Sequence, residues 1–296
     1  MSRTNAMLLL AVILWGATIP PTKWALETVE PLTLTFMRLA LSSILFVPYA
    51  WKKAKKEQSD MTIPWLRLCS LSFTGVAGYF LFGYTGIAFT SGVNVSIIDS
   101  TLPLFTMVFA YFYLKERIVW QQWTGLFIGL TGVLLIALQS DRSNDSSLFG
   151  DMMVLAGCII WAVYIVQMKK PKGEERLPSE LFTALLLLIG AAMIFPFAVV
   201  EIGVLGWPTF PPKTILSLVF LTIGSSIFAY WLWNKAVESV SASKASVYLN
   251  FMPVISVIAS VLFLKETLTW QTVIGGCLVL TGVVFAERLQ RRRALD

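Results

Sequence analysis

Two charged residues, Asp99 and Arg38, lie inside long apolar stretches and are the side chains best suited to bind a solute. Each stands about seven residues from the polar end of its stretch, which corresponds to about 10 Å along an α-helix. If these stretches cross a membrane, an ionised carboxylate at that depth costs about 3 kcal/mol unless it is paired or hydrated. Asp99 therefore requires either a partner or a function.

Several roles for these two charges remain open. Asp99 and Arg38 could form a structural ion pair, since charges within membranes usually pair with one another. Asp99 could instead face a cavity and bind a cationic group or a coupling proton. A zwitterionic solute would engage both residues, with its ammonium on Asp99 and its carboxylate near Arg38. In a fourth interpretation, Asp99 lies nearer the surface and is simply hydrated.

Asp99 also belongs to a stripe of small and polar residues. Steps of four, three, four and three residues place five positions on one face of an otherwise Ile-, Leu-, Val- and Phe-rich helix. The stripe predicts contact with a cavity or with a closely packed helix. It consists of Gly92, Ser96, Asp99, Pro103 and Thr106.

Aromatic side chains form a second candidate group for solute binding. Any single one could belong to an interfacial belt or to packing, which is the commoner role of Trp and Tyr in membranes. Together they could line a cavity and bind planar or amphipathic solutes by stacking and cation–π contact. The predicted binding residues of this group, with one amide, are Trp15, Tyr79, Tyr84, Trp161, Tyr164, Tyr230 and Asn234.

The composition argues against other functions. The sequence has no histidine, no Cys-x-x-Cys pair among its three cysteines, and no phosphate-binding loop of the Gly-x-x-x-x-Gly-Lys-Ser/Thr type. We therefore expect no metal, no cofactor and no enzymatic activity. The net charge of +6 follows from basic loops and does not indicate nucleic-acid binding.

The elements that must position these residues are membrane-spanning helices. Of 296 residues, 56% are hydrophobic and 14% are charged, and the mean hydropathy is +0.74, which is typical of an integral membrane protein. A run of about 20 apolar residues suffices to cross a bilayer. Ten such runs occur, at residues 5–25, 31–51, 64–88, 92–114, 119–138, 149–168, 178–200, 214–236, 242–264 and 269–287.

The basic residues predict the orientation of these spans. With a cytoplasmic N-terminus, 18 of the 23 Lys and Arg residues fall on the cytoplasmic side, as the positive-inside rule requires. We therefore expect a multi-pass protein of the plasma or inner membrane with both termini in the cytoplasm. The first run lacks a cleavage pattern, so we expect an uncleaved helix rather than a signal peptide.

One motif occurs twice, at a constant offset of 150 residues. Residues 102–136 and 252–286 share a proline, a Leu-Lys-Glu, a Trp-Gln, a glycine and a Leu-Thr-Gly-Val. Because five spans separate the copies and five is odd, the two halves enter the membrane from opposite sides. The predicted fold is an all-α integral membrane protein whose ten transmembrane helices form two inverted five-helix repeats, residues 1–146 and 147–296. The second copy has Leu249 in place of Asp99, which suggests a specialised role for the acid.

Prolines and glycines are expected to shape the helices. Prolines remove backbone donors and predict breaks or kinks that could act as hinges or free carbonyl groups for a solute. Gly125 and Gly129, with the glycines of the last span, allow close helix approach, either between the halves or in a homodimer. The prolines concerned are Pro20, Pro21, Pro103 and Pro253.

These features together resemble the drug/metabolite transporter superfamily in its EamA-type branch. The resemblance rests on the repeated Pro…Leu-Lys-Glu…Trp-Gln…Gly…Leu-Thr-Gly-Val, on Trp15-Gly16 and on Arg38, and it covers essentially the whole chain. It implies a ten-helix carrier with a central cavity lined mainly by helices 1, 3, 4, 6, 8 and 9. Family members mostly export small organic metabolites, and a bacterial example exports aromatic amino acids. The family's fourth helix usually lacks an acid at the position of Asp99.

The leading prediction is a secondary transporter that exports small organic metabolites, above all amino acids, by alternating access through a central aromatic-lined cavity. The alternative is an exporter of cationic drugs or toxic compounds in which Asp99 neutralises the substrate. An intramembrane enzyme and a non-transporting scaffold or flippase-like protein are interpretations of other classes. The expected partners are a small-molecule substrate and the lipid bilayer.

Overall fold

The computed structural model of the protein describes residues 3–57, 63–115, 120–140, 147–168, 177–237, 248–249 and 251–293. All regular secondary structure in these residues is helical, which confirms the prediction of an all-α membrane protein. Seven helical stretches are long and apolar enough to cross a membrane, and shorter apolar helices lie at Trp123–Ile136, Met252–Leu264 and Trp270–Phe285. Each of the ten predicted spans contains one of these helices, although the start of span 242–264 lies outside the described residues.

The helices of the two halves pack against one another. The first half contains α1 (Arg3–Gly16), α2 (Ile19–Leu26), α3 (Pro31–Glu57), α4 (Trp65–Ser72), α5 (Gly78–Ala88), α6 (Gly92–Asp99), α7 (Leu102–Leu114) and α8 (Trp120–Ser140). The second contains α9 (Leu148–Met168), α10 (Ser179–Leu205), α11 (Pro212–Val219), α12 (Ala229–Val237), α13 (Met252–Leu264) and α14 (Trp270–Arg293). The most extensive packing joins α8 to α14, α3 to α10 and α5 to α9, so each of these pairs crosses between the halves.

The four predicted prolines lie at the beginnings of helices. Pro20 and Pro21 lie in the first turn of α2, and Pro103 and Pro253 lie in the first turns of α7 and α13. Proline is tolerated there because the first N–H groups of a helix have no intrahelical acceptor. The first and fourth spans are each divided into two helices, so helix ends lie in the middle of these spans.

One π-helical segment interrupts the third span of each half, which the apolar runs of the sequence did not predict. Phe73–Ala77 joins α4 to α5, and Phe220–Phe228 joins α11 to α12. A shift of the first segment by the repeat offset of 150 residues gives 223–227, which lies inside the second. Such segments change the direction of side chains and occur frequently at functional sites.

Glycine-rich faces hold α8 and α14 together. A Cβ atom on Gly132 would lie 2.5 Å from the carbonyl oxygen of Gly275, and one on Gly282 would meet backbone atoms of Gly125 and Gly129. The glycines therefore permit backbone contact between the halves, which is one of the two roles considered for them. A homodimer through the same glycines stays a prediction.

The repeated Lys-Glu motif ends one helix and caps another. Lys115 and Lys265 end α7 and α13 in the left-handed conformation, with φ of 57° and 56°. The carboxylate of Glu266 accepts hydrogen bonds from the backbone N–H groups of Gly92 and Val93, both at 2.8 Å. Glu266 thus caps α6 rather than its own helix, and its copy at position 116 lies outside the described residues.

Candidate functional site

A small cavity lies beside the break between α1 and α2 and the end of α6. Its volume is about 50 Å³, enough for a few water molecules but far below the roughly 300–1,000 Å³ of a typical ligand site. A small organic solute would therefore enter only if the surrounding helices move apart. Seven of the predicted binding residues line this cavity: Trp15, Arg38, Tyr79, Tyr84, Asp99, Trp161 and Tyr230.

Asp99 offers a free carboxylate to the cavity. It is the last residue of α6, and its side chain is half-buried. Within the described part of the chain it accepts no hydrogen bond and forms no ion pair. It lies three residues before the start of α7, so it stands at the break between the two helices of the fourth span.

Arg38 is committed to contacts with other parts of the protein. It is 2% exposed, and its guanidinium donates to Ser226 from Nε at 3.0 Å and from Nη2 at 2.6 Å. Nη2 also donates to Ser225 at 2.8 Å, and Nη1 donates to the hydroxyl of Tyr84. The ring of Phe80 lies 4.5 Å from the guanidinium carbon. Arg38 and Asp99 thus line one cavity without forming the ion pair considered from the sequence.

Aromatic rings from both halves surround the cavity. Trp15 contacts Trp161 edge to face with ring centroids 6.1 Å apart, and it contacts Tyr230 in the same way at 5.2 Å. Tyr79 lies 5.5 Å from Trp161 in a tilted arrangement. These rings come from α1, α5, α9 and α12, so four separate helices must hold their positions to shape one wall. Such a wall suits the apolar or aromatic body of a solute.

The indole N–H groups of the two tryptophans differ in their partners. Nε1 of Trp15 donates to the carbonyl oxygen of Ser225 at 3.1 Å. Nε1 of Trp161 is buried and has no acceptor among the described residues, although burial of such a donor is unfavourable. Tyr230 donates at 3.3 Å to the carbonyl oxygen of Gly75 in the first π-helical segment. Trp161, which lines the cavity together with Asp99, therefore has a donor without an acceptor among the described residues.

Three predicted binding residues lie away from the cavity. Ser96 is buried, and its hydroxyl donates to a carbonyl oxygen one turn earlier in α6. Tyr164 packs against Gly75, where an added Cβ would overlap its ring. Asn234 donates from Nδ2 to the hydroxyl of Thr183 at 2.5 Å. In this conformation the three side chains contribute to contacts between and within helices rather than to the cavity wall.

The serines that hold Arg38 were not among the predicted binding residues. Ser225 lines the cavity, and Ser225 and Ser226 lie next to each other in the second π-helical segment. Two adjacent serines within an apolar span were the available signal, but α-helical periodicity does not show where a π-helical segment directs them. Thr18 and Thr22 also line the cavity, at the break between α1 and α2.

Polar contacts join the halves at both ends of the bundle. At one end, Glu201 accepts hydrogen bonds from the backbone N–H and the hydroxyl of Thr33, at 2.6 and 2.7 Å. At the other end, Glu180 binds Lys53 at 2.6 Å and accepts from the indole N–H of Trp231 at 3.1 Å. Rearrangement of the two halves would therefore break at least one of these sets.

The arrangement is suited to binding a solute. Asp99 can accept from a cationic group, Trp161 can donate to an oxygen atom, and the rings can contact an apolar body. No group of three His, Cys, Asp or Glu side chains in the described ranges is placed to hold a metal ion.

Comparison with known proteins supports a transporter. The sequence model of the EamA-like transporter family matches residues 3–138 and 148–287. A relative from Archaeoglobus fulgidus, named "Uncharacterized transporter", is 28% identical over 98% of this chain and 99% of its own. A Salmonella typhimurium protein named "Probable amino-acid metabolite efflux pump" is 26% identical over 98% of each chain. One solved structure covers 98% of this chain and 99% of its own, with a TM-score of 0.66 and 23% identity, which supports the fold alone.

The family match extends over nearly the whole chain and includes all the residues that line the cavity. The described residues also form the apolar helices that a multi-pass membrane protein requires. The chain therefore belongs to the EamA-like transporter family, within the drug/metabolite transporter superfamily, and is a multi-pass membrane transporter.

Proposed function

We propose that this transporter is a secondary carrier that exports small organic metabolites, with amino acids as the leading class. The observation that carries the proposal is the free carboxylate of Asp99 in an aromatic cavity formed where helices break. An acid without a partner is costly inside a membrane, so a solute that supplies a positive group explains its presence. The name of the Salmonella relative adds support for amino acids.

The proposed mechanism is alternating access between two inverted five-helix halves, residues 1–146 and 147–296. Both halves line the cavity, and both ends of the bundle carry contacts between the halves. In the proposed cycle, the Thr33–Glu201 set opens while the Lys53–Glu180 set stays closed, and then the reverse occurs. Pro20, Pro21, Pro103 and Pro253, at the beginnings of helices, act as hinges. In this proposal the carrier lies in the plasma or inner membrane, with both termini in the cytoplasm.

Counterflow in proteoliposomes tests this function. Vesicles loaded with an unlabelled amino acid, nucleoside or organic cation receive a trace of the same labelled compound, and accumulation of label measures exchange. Wild type is expected to exchange at least one amine-bearing solute, and Asp99→Asn is expected to lose most of that exchange while remaining folded. Equal exchange by both proteins would remove Asp99 from the site, and exchange of no compound would contradict the carrier assignment.

The second candidate is an exporter of cationic drugs or toxic compounds. The lack of an ion pair for Asp99 within the described residues favours this reading, since a cationic compound would neutralise the carboxylate. Cells that produce wild type would then grow at higher concentrations of a polyaromatic cation than cells that produce Asp99→Asn. Unchanged resistance together with amino-acid exchange in vesicles would reject this candidate and retain the first.

A further inference from the structure

The polar groups that line the cavity divide into those that are already bonded and those that are free. Arg38 and Trp15 have partners, whereas the Asp99 carboxylate and the Trp161 indole N–H have none among the described residues. We infer that the solute binds as a protonated amine, with its ammonium on Asp99 and a hydrogen-bond acceptor on Trp161, and that a carboxylate is not required. This inference rests on the proposed function and specifies its substrate class.

Asp99 is suited to a cation because its charge has no partner. Its side chain lines the cavity and lacks a hydrogen bond or ion pair in the described part of the chain. An ammonium group is attracted by the carboxylate of Asp99, and a solute carboxylate is repelled by it.

Arg38 is not available to a solute carboxylate. Its four hydrogen bonds to Ser225, Ser226 and Tyr84 occupy Nε, Nη1 and Nη2, and the ring of Phe80 lies against the guanidinium. Only 2% of the residue is exposed. A carboxylate could make the usual two-point contact only by displacing the serines. The zwitterion interpretation, in which Arg38 holds the carboxylate, therefore has no free partner in this conformation.

Trp161 supplies the second recognition contact. Its N–H is buried without an acceptor among the described residues, which is unfavourable. An amide, ester or carboxyl oxygen of a solute would accept a hydrogen bond from this N–H and so offset the cost of its burial. The rings of Trp15 and Tyr79 lie 6.1 and 5.5 Å from the Trp161 ring, and aromatic faces stabilise an ammonium group. A small amine that carries an acceptor and an apolar body matches all of these features.

The test uses four compounds that share one phenyl body. Phenylalaninamide has an ammonium and an acceptor without a carboxylate, phenylalanine is the zwitterion, phenethylamine lacks the acceptor, and N-acetylphenylalanine lacks the ammonium. Binding to the purified full-length protein in detergent is measured by titration calorimetry at neutral pH. We expect phenylalaninamide to bind at least as tightly as phenylalanine, phenethylamine to bind several-fold more weakly, and N-acetylphenylalanine not to bind.

Two variants locate the contacts, and a third serves as their control. Asp99→Asn keeps the shape of the side chain and is expected to weaken phenylalaninamide binding by about tenfold or more, since a charge-assisted hydrogen bond is lost. Trp161→Phe keeps an aromatic ring but removes the N–H donor. It is expected to weaken the binding of phenylalaninamide and to leave the binding of phenethylamine unchanged. Glu27→Gln alters an exposed acid outside the cavity and is expected to change neither.

The inference fails if N-acetylphenylalanine binds wild type as tightly as phenylalaninamide, or if wild type binds none of the amines. It also fails if folded Asp99→Asn binds phenylalaninamide as wild type does. The comparison of compounds on wild type decides the matter even if a variant does not fold. Counterflow separates the two proposals: exchange of a solute without an amine would retain the carrier and reject the amine, whereas exchange of no solute would reject the carrier itself.

Discussion

Trp15 and Trp161 meet edge to face with ring centroids 6.1 Å apart, yet their N–H groups are in opposite states. Trp15 donates to the carbonyl oxygen of Ser225, whereas Trp161 has no acceptor within the described residues. By the repeat offset of 150 residues, Gly75 is the position in the first half that corresponds to Ser225 in the second. Its carbonyl oxygen already accepts a hydrogen bond from the hydroxyl of Tyr230. The site is therefore asymmetric although much of the sequence is duplicated, and the asymmetry leaves the N–H group of Trp161 without an acceptor among the described residues.

Replacement of each tryptophan by phenylalanine should separate these two states. Both changes remove the same ring volume, so the difference between them reports the hydrogen bond of Trp15. Trp15→Phe leaves the Ser225 carbonyl without its donor and is expected to lower the free energy of unfolding by about 1 kcal/mol more than Trp161→Phe. Thermal unfolding in detergent, followed by circular dichroism, measures the difference. Equal losses would contradict the assigned hydrogen bond.

Arg38 links α3 of the first half to the second π-helical segment. Arg38→Lys retains the positive charge but cannot reproduce the fork that binds Ser225 and Ser226. We expect this change to lower the free energy of unfolding by about 2 kcal/mol, because hydrogen bonds to a charged group are lost. Thermal unfolding of purified protein gives the measurement.

A double-mutant cycle shows whether this loss comes from the serines. Ser226→Ala removes the hydroxyl that accepts from Nε and Nη2 of Arg38, at 3.0 and 2.6 Å. The double variant should therefore be less destabilised than the sum of the two single variants, by about 1 kcal/mol. Strictly additive losses would mean that Arg38 and Ser226 do not interact.

Sequence patterns predicted the helices well because their signals are local. Apolar runs marked the spans, and Pro20, Pro21 and Pro103 marked the beginnings of α2 and α7. The partners of Arg38 had no local signal, since Ser225 lies 187 residues away and in a π-helical segment. An apolar run does not reveal such a segment, because its residues satisfy several helical periods equally well.

The neighbours of the polar stripe around Asp99 could not be predicted from residue spacing. The stripe predicted contact with either a cavity or a closely packed helix, and its residues make both kinds of contact. Gly92 lies against Ser260 of α13, where an added Cβ would be 2.5 Å from the hydroxyl oxygen, while Asp99 reaches the cavity. Steps of three and four residues place side chains on one face, but the neighbour that each side chain meets depends on tertiary packing.

Glu266 should support transport through α6. Its carboxylate binds the N–H groups of Gly92 and Val93 at the start of that helix, and Asp99 lies at the other end. Glu266→Gln removes a negative charge from the positive end of the helix dipole, so we expect about 0.5–1 kcal/mol less stability and slower exchange. Thermal unfolding and vesicle counterflow check the two effects.

The matched control for this change is Glu27→Gln. Glu27 forms an ion pair with Lys213 at 2.7 Å, but both side chains are about half exposed, and such pairs contribute little to stability. No measurable change in stability or exchange is expected. A reduction equal to that of Glu266→Gln would show that any lost carboxylate has this effect, and the role assigned to the cap would then be wrong.

The contact between α8 and α14 should tolerate no additional methyl group. A Cβ on Gly282 would overlap backbone atoms of Gly125 and Gly129, which cannot move away as a flexible side chain could. Gly282→Ala is therefore expected to lower the free energy of unfolding by about 1–3 kcal/mol.

Gly203→Ala is the control, since an added Cβ in that part of α10 has no atom within 4 Å. Alanine favours the helix there, so its stability should stay the same or rise slightly. Comparable melting temperatures for the two variants would contradict backbone contact between the halves.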